Sequence, residues 1–264
     1  MNAQVLKELL AALESGRPAA LASVVETSGS SPAKPGALMA VFEGGRICGT
    51  VGGGAVEADI IKRGAKAIES GAGFIFDYDL GPPGVLGMEC GGRVKGCVQV
   101  FSPAKRLLIF GGGHIAQRLA PLAAGLGFDV TVADDREEFA ARFEGVKYVA
   151  CRPSDIKDHY RVGPDTFIVV VTRGHAADLE ALLAVAGESA AYIGMVGSAA
   201  KVREVFSAAA AGVSGEALSA VYAPIGLDIA NNSPEEIAVS IISEILLVKN
   251  GKRLRHMRNG GSAT

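Results

Sequence analysis

The spacing of apolar and polar positions changes character near residue 104. In the opening stretch MNAQVLKELLAALESG, Val5, Leu9 and Leu13 recur at helical spacing, which predicts a short amphipathic helix. AALASVVETS then reads as a strand, and GSSPAKPG as a loop by its glycine, serine and proline content. ALMAVFE and RICGTV read as strands around the turn Gly44-Gly45. A helix is expected from about Ala55 to Ser70, after Gly52-Gly53-Gly54. GFIFDYD and RVKGCVQVFS read as two more strands, separated by the loop LGPPGVLGMECGG. Several strands around few helices predict a small α+β domain over residues 1–103, with Pro103 and Lys105-Arg106 at its boundary.

From 104 to 264 strand-like and helix-like segments alternate. Strands are expected at 106–110, 128–133, 147–151, 166–172, 190–195 and 218–222, with helices filling the gaps. Such alternation predicts a Rossmann-like, doubly wound parallel sheet, so the fold class is α/β with a small α+β domain in front. FIVVVT is apolar on both faces, as a central parallel strand should be. SPEE opens a last helix from Pro234 to about Asn250. Ser233 is its expected N-cap, Glu236 closes a capping box, and Ile237, Ile241, Ile245 and Val248 form its buried stripe. Pro121 lies inside the first helix of this domain and predicts a kink.

Composition narrows the classes of function. With 26 basic and 28 acidic residues the net charge is −2, and no basic surface for nucleic acid is expected. No apolar run reaches the roughly 18 residues that span a bilayer, so no membrane association is expected. The N-terminal stretch lacks the apolar core of a signal peptide, which predicts a cytoplasmic location. Cys48, Cys90, Cys97 and Cys151 form no CxxC pair, so thiols are expected and no metal site.

The stretch LLIFGGGHIA carries Gly111, Gly113 and Ala116 in a G-x-G-x-x-A arrangement between a strand and a helix. Gly111 suits a tight turn, Gly113 lets a pyrophosphate approach the backbone, and Ala116 permits close helix–strand packing. Gly112 and His114 border the same turn, and N–H groups at the helix start can hold an anion. Asp134, after the second strand, is placed to accept from ribose hydroxyls, which favours NAD; Arg136 leaves NADP open. Thr172 and His175, in TRGH, follow the fourth strand at the same sheet edge. Gly197 and Ser198 follow the fifth, with Lys201 one turn on; Ser198 suits ordinary capping as well as a phosphate. Asp228 lines the crevice or satisfies loop amides.

The front domain has its own glycine-rich helix start, GTVGGGAVEAD, where Gly52, Gly53 and Gly54 could cradle an anion. Lys34 is a candidate phosphate contact. Cys90, set between glycines in GMECGG, reads as an accessible thiol, with Glu89, Lys34 and Arg93 as neighbours that would tune it. Cys90 and His175 are the two candidate catalytic groups.

In order along the chain, GSSPAKPG, GTVGGGAVE, GMECGGRV, LLIFGGGHIA, YIGMVGS and PIGLDIANNSPEEIAVSI resemble the XdhC/CoxI family, the xanthine dehydrogenase accessory factors. The resemblance covers nearly the whole chain. It implies a maturation chaperone that binds the molybdenum cofactor (molybdopterin type) as cargo, assists its sulfuration and passes it to an apo molybdenum hydroxylase. A cysteine desulfurase as sulfur source and a homodimeric assembly belong to the same expectation. The chain has Ala33 where the family often has Arg, Ala55 for Cys, and Arg173 for His, which leaves Cys90 as the thiol candidate and Lys34 as the loop cation. On this reading the front domain is a partner surface and half of a cofactor cleft, and the Rossmann crevice is the other half. Two further readings stand beside it: an NAD(P)-dependent oxidoreductase using His175 or Asp228 as acid–base, and a nucleotide-sensing regulatory protein. A non-catalytic role is preferred, because no hydride-transfer constellation can be assigned.

Overall fold

The computed structural model describes residues 2–80 and 92–256. The chain divides into two compact units, Met1–Ala104 and Lys105–Thr264. Among the described residues no helix is long and apolar enough to cross a membrane.

In the first unit, helix α1 (Asn2–Glu14) precedes strand β1 (Ala19–Ser28), followed by β2 (Leu38–Phe42), β3 (Ile47–Gly49), helix α2 (Gly54–Ser70), β4 (Phe74–Asp79) and β5 (Arg93–Phe101). The strands form one five-stranded sheet in the order β3-β2-β1-β5-β4, antiparallel at every pair. Strand alternation explains why β1 and β2 are so apolar. Ala20, Ala22, Val24, Met39 and Val41 face Val56, Ile60 and Ile68 of α2. Ala19, Ala40 and Phe42 pack with Val5, Leu9 and Ala12 of α1. Residues of opposite parity therefore meet different helices. On α1 the third buried residue is Ala12 rather than the expected Leu13, which is only half-buried.

The second unit runs β6 (Arg106–Phe110), α3 (His114–Gly125), β7 (Asp129–Asp134), β8 (Lys147–Ala150), β9 (Thr166–Val170), α4 (His175–Val185), β10 (Tyr192–Met195), α5 (Ala199–Ala209), α6 (Gly215–Ser219) and α7 (Pro234–Lys249). Its five strands are all parallel, in the order β10-β9-β6-β7-β8. This is the doubly wound arrangement, and its strand order turns back at β6, so the crevice opens between the C-terminal ends of β6 and β9. Leu107, Ile109, Val130, Val132, Phe167 and Val169 face α3 and α7. Leu108, Phe110, Ile168 and Val170 face α4 and α5. At the opposite edge from the crevice, Arg106 clamps Asp165 with two bonds of 2.7 and 2.5 Å and donates to Arg161 O at 2.7 Å.

Three expectations are corrected in this unit. The connections after β7 and β8 are not α-helices but 3₁₀ turns, Glu137–Arg142 and Pro153–Asp158. These connections have 12 and 15 residues, shorter than the 18 and 21 that carry α3 and α4. The sixth strand at 218–222 does not form. Ser214 accepts from Ala217 N and starts α6; Tyr222 makes a single bridge to Gly194, and Ile225 N donates to Met195 O at 3.0 Å. Pro224, between Tyr222 and Ile225, has no N–H to extend the ladder. Helix α3 runs through Pro121, whose exposed side chain leaves the buried face to Leu119, Ala120 and Ala123. In α7 Ser233 caps Glu236 N as expected, but Glu236 reaches back to Asn231 N at 2.6 Å instead of closing on Ser233.

Candidate functional site

The glycine turn joins β6 to α3. Gly111 has φ +104, a region that L side chains rarely adopt, and a Cβ there would lie 2.5 Å from Val171 O. Its N–H donates to Ala133 O at 2.8 Å, tying the turn to β7. Gly113 is the N-cap of α3, and a Cβ on it would meet nothing within 4 Å. No side chain caps the helix. The first-turn N–H groups, which have no partner inside a helix, are therefore directed to the open side. Ala116 is fully buried, as close helix–strand packing requires.

Asp134 ends β7 with a side chain only 5% exposed. Its Oδ2 accepts from Gly112 N at 2.6 Å and from Arg136 Nη2 at 2.7 Å. Its Oδ1 accepts from Arg136 N at 3.0 Å and Arg136 Nε at 2.7 Å. Burial pushes this carboxyl upward, but the Arg136 side chain and the N–H groups of Gly112 and Arg136 outweigh it and hold it at about 2. Asp134, expected to accept from ribose hydroxyls, has its roughly four lone-pair sites taken up here by the turn and by Arg136.

Above the turn lies a cleft of about 410 Å³. Its floor is Gly113 to Ile115 and Gln117; one wall carries Arg136, Phe139 and Arg142, the other Val171, Thr172, Arg173 and Val196. Asn232, Pro234 and Ile237 close it from the turn before α7. Among the described residues that line it, none is acidic. The guanidinium of Arg136 lies 3.8 Å and that of Arg142 3.7 Å from the centroid of the Phe139 ring, so the two must take opposite faces. Arg173 pairs with Asp135 at 3.2 Å. That turn before α7 is pinned by Ser240, which donates to Leu227 O at 2.6 Å, and by Glu244, which accepts from Gly226 N and Tyr192.

The ends of β9 and β10 build a second polar group. Thr172 donates to Asp178 Oδ1 at 2.6 Å, and Lys201 is ion-paired with the same carboxylate, which is fully buried. Lys201 also donates to Val196 O at 3.4 Å. Ser198 is the N-cap of α5 and accepts from Lys201 N at 3.2 Å, the ordinary capping role. Gly197 lies against the Lys201 stem. His175 is exposed, stands 3.8 Å from Glu204, and is not among the residues lining the cleft, whereas His114 is. Asp228 is exposed and also outside that lining.

In the front unit the glycine loop is filled by the chain itself. Glu57, in the first turn of α2, accepts from Val51 N at 3.0 Å, Gly53 N at 3.2 Å and the Thr50 hydroxyl; Thr50 in turn accepts from Gly52 N at 3.1 Å. The amide of Gly53, one of those expected to cradle an anion, is thus committed internally. Gly52, with φ +119, lies against Ala33, and a Cβ there would be 2.8 Å from Ala33 N. Gly92 approaches Ser30 O. The loop GSSPAKPG therefore meets both glycine segments, and Lys34 is exposed on it. Cys90 and Glu89 lie outside the described residues. Of the other thiols, Cys151 is buried, and burial with Asp155 pushes it up; Cys48 and Cys97 are half-buried. Among the described residues no group of three or more His, Cys, Asp or Glu could hold a metal ion.

Phe139, Arg142, Asn232, Asp178 and Glu57 are the site residues that sequence reasoning missed. An acid in the first turn after a glycine-rich start was the available signal for Glu57 and Asp178.

Comparison with known proteins bears on both units. Residues 12–79 match the XdhC and CoxI family, and residues 107–245 match the XdhC Rossmann domain. YqeB of Escherichia coli (strain K12), described as an uncharacterized protein, is 31% identical over 90% of this chain, but the chain spans only 44% of its length. A Bacillus subtilis (strain 168) protein described as a probable xanthine dehydrogenase subunit is 24% identical, with 89% of this chain and 94% of that protein covered. The molybdenum cofactor insertion chaperone PaoD of Escherichia coli (strain K12) is 23% identical, covering 93% of this chain and 88% of that protein. The crystal structure of a xanthine dehydrogenase from Bacillus halodurans shares the fold, with a TM-score of 0.53 at 22% identity over 93% of this chain and 96% of that one. With both regions matched in order along the sequence, the chain belongs to the XdhC and CoxI family.

Proposed function

We propose that this protein is a maturation chaperone for a molybdenum hydroxylase of the xanthine dehydrogenase type. It binds a molybdopterin-type cofactor as cargo, assists its sulfuration with a cysteine desulfurase as sulfur source, and delivers it to the apoenzyme. The single observation that carries this reading is family membership across both units, supported by the PaoD relative, an insertion chaperone by name. The cleft adds a physical reason: an anion-receptive helix start under three arginines suits a phosphorylated, anionic ligand.

On this proposal the N–H groups opening α3 hold a phosphate group, and Arg136, Arg142 and Arg173 supply counter-charge. Gly113 keeps the approach clear. In the front unit, Glu57 fixes the glycine loop on which Ala33 rests, and Lys34 is the exposed cation beside it. Cys90 is the thiol that handles the cofactor during sulfuration. His175, exposed and outside the cleft lining, favours this reading over an oxidoreductase with His175 as acid–base.

The test is mass spectrometry of small molecules released from protein co-produced with the molybdenum cofactor pathway. A molybdopterin derivative recovered with the native protein and lost in Cys90→Ser supports the proposal. Recovery of none from the native protein contradicts it.

A further inference from the structure

A Rossmann crevice that selects a free ribose diol needs a carboxylate with open lone pairs at the end of its second strand. Asp134 stands there, but its four acceptor sites are occupied by Gly112 N and by three N–H groups of Arg136. Two ribose hydroxyls would have to displace bonds of 2.6 to 3.0 Å that also hold the turn together. The wall beside it is cationic. Arg136 is neutralised by Asp134, and Arg173 by Asp135. Arg142 is exposed, stacks on Phe139, and has no acidic partner among the described residues. The net charge facing the cleft is therefore positive, and its unpaired share sits on Arg142.

We propose that this cleft takes a nucleotide whose ribose carries a phosphomonoester beside the base, of the 2′-phosphoadenosine class, in preference to one with a free diol. The proposal rests on the sequence expectation that this crevice binds a dinucleotide, and adds which ribose it selects. Arg142 meets the extra phosphate, joined by the edge of Arg136 that Asp134 leaves free. Guanidinium forks suit phosphate oxygens, and a dianion gains most where a cation lacks a partner. The Phe139 ring holds both cations in place, with Asp134 steering Arg136 rather than contacting ligand.

NAD⁺ and NADP⁺ differ only by that phosphate, so calorimetric titration of the full chain with each is the test. NADP⁺ is expected to bind roughly tenfold or more tighter, as a charge-assisted contact implies. Arg142→Ala should weaken both nucleotides but NADP⁺ far more, removing most of that preference, while Arg142→Lys restores part of it. Arg142 is exposed, so these variants keep the fold, which circular dichroism verifies. Equal or tighter binding of NAD⁺ overturns the phosphate preference and leaves the nucleotide reading standing. A preference for NADP⁺ that survives in Arg142→Ala overturns the assignment to Arg142. Binding of neither, with inorganic pyrophosphate also silent, overturns the proposal together with the nucleotide reading.

Discussion

Asp134 and Gly112 are joined across the mouth of the glycine turn: the carboxylate Oδ2 accepts the Gly112 N–H at 2.6 Å. The acid that ends β7 therefore supports the turn after β6, and does so while ion-paired to Arg136. Asp134→Ala leaves the Gly112 N–H and the Arg136 guanidinium without their acceptor. The expected loss is about 2–4 kcal/mol, read from urea denaturation at neutral pH. A loss below about 0.5 kcal/mol would mean the pair is not structural.

The same carboxylate predicts a pH dependence. Its pKa is depressed in the folded state, from 3.8 to about 2, so its contribution is full above 3.8 and is lost as pH falls toward 2. The contribution is on the order of 2 kcal/mol. Comparing native protein with Asp134→Asn, the stability difference should shrink across that acid window. A difference that stays constant there would show that Asp134 titrates normally.

Gly111 and Gly113 should respond in opposite ways. Gly111→Ala forces a side chain into φ +104 and against Val171 O, so the protein should lose roughly 2 kcal/mol or more. Gly113→Val meets open space, so the fold should persist while nucleotide affinity is lost. Thermal melts and titrations on both variants separate the two roles. A folded Gly113→Val that binds as the native protein does would remove the turn from the site.

Asp178 and Lys201 form the buried pair at the ends of β9 and β10. Asp178→Ala should cost about 3–5 kcal/mol, because it leaves Lys201 uncompensated in a mostly buried place. Adding Lys201→Met should recover part of that loss, giving a non-additive double-mutant cycle. Simple addition of the two single losses would show that the residues act independently.

Much of the fold was legible in the sequence because periodicity reports burial. β1 and β6 match the expected segments, since apolar positions alternate into the core along the first half of β1 and run through β6. The glycine turn was legible because Gly111 needs its unusual φ whatever else surrounds it. The 3₁₀ turns and the missing sixth strand were not, because hydrogen-bond closure and a single Ser214 cap decide them over apolar content. At the site, Asp134 was found but its partners were not. A carboxylate two residues from an arginine reads equally as ribose ligand or ion pair until the chain is folded. Phe139 and Arg142 lie in a polar stretch without period, so only the folded wall shows that they belong to the cleft.

On the proposed function, the protein matures a molybdenum hydroxylase. The most direct measurement of this is reconstitution of an apo xanthine dehydrogenase-type enzyme with cofactor and a sulfur source, in the presence and absence of this chain. Hydroxylase activity should rise severalfold when the chain is present, and folded Cys90→Ser and Gly113→Val should give less. Equal recovery of activity with and without the chain would contradict it.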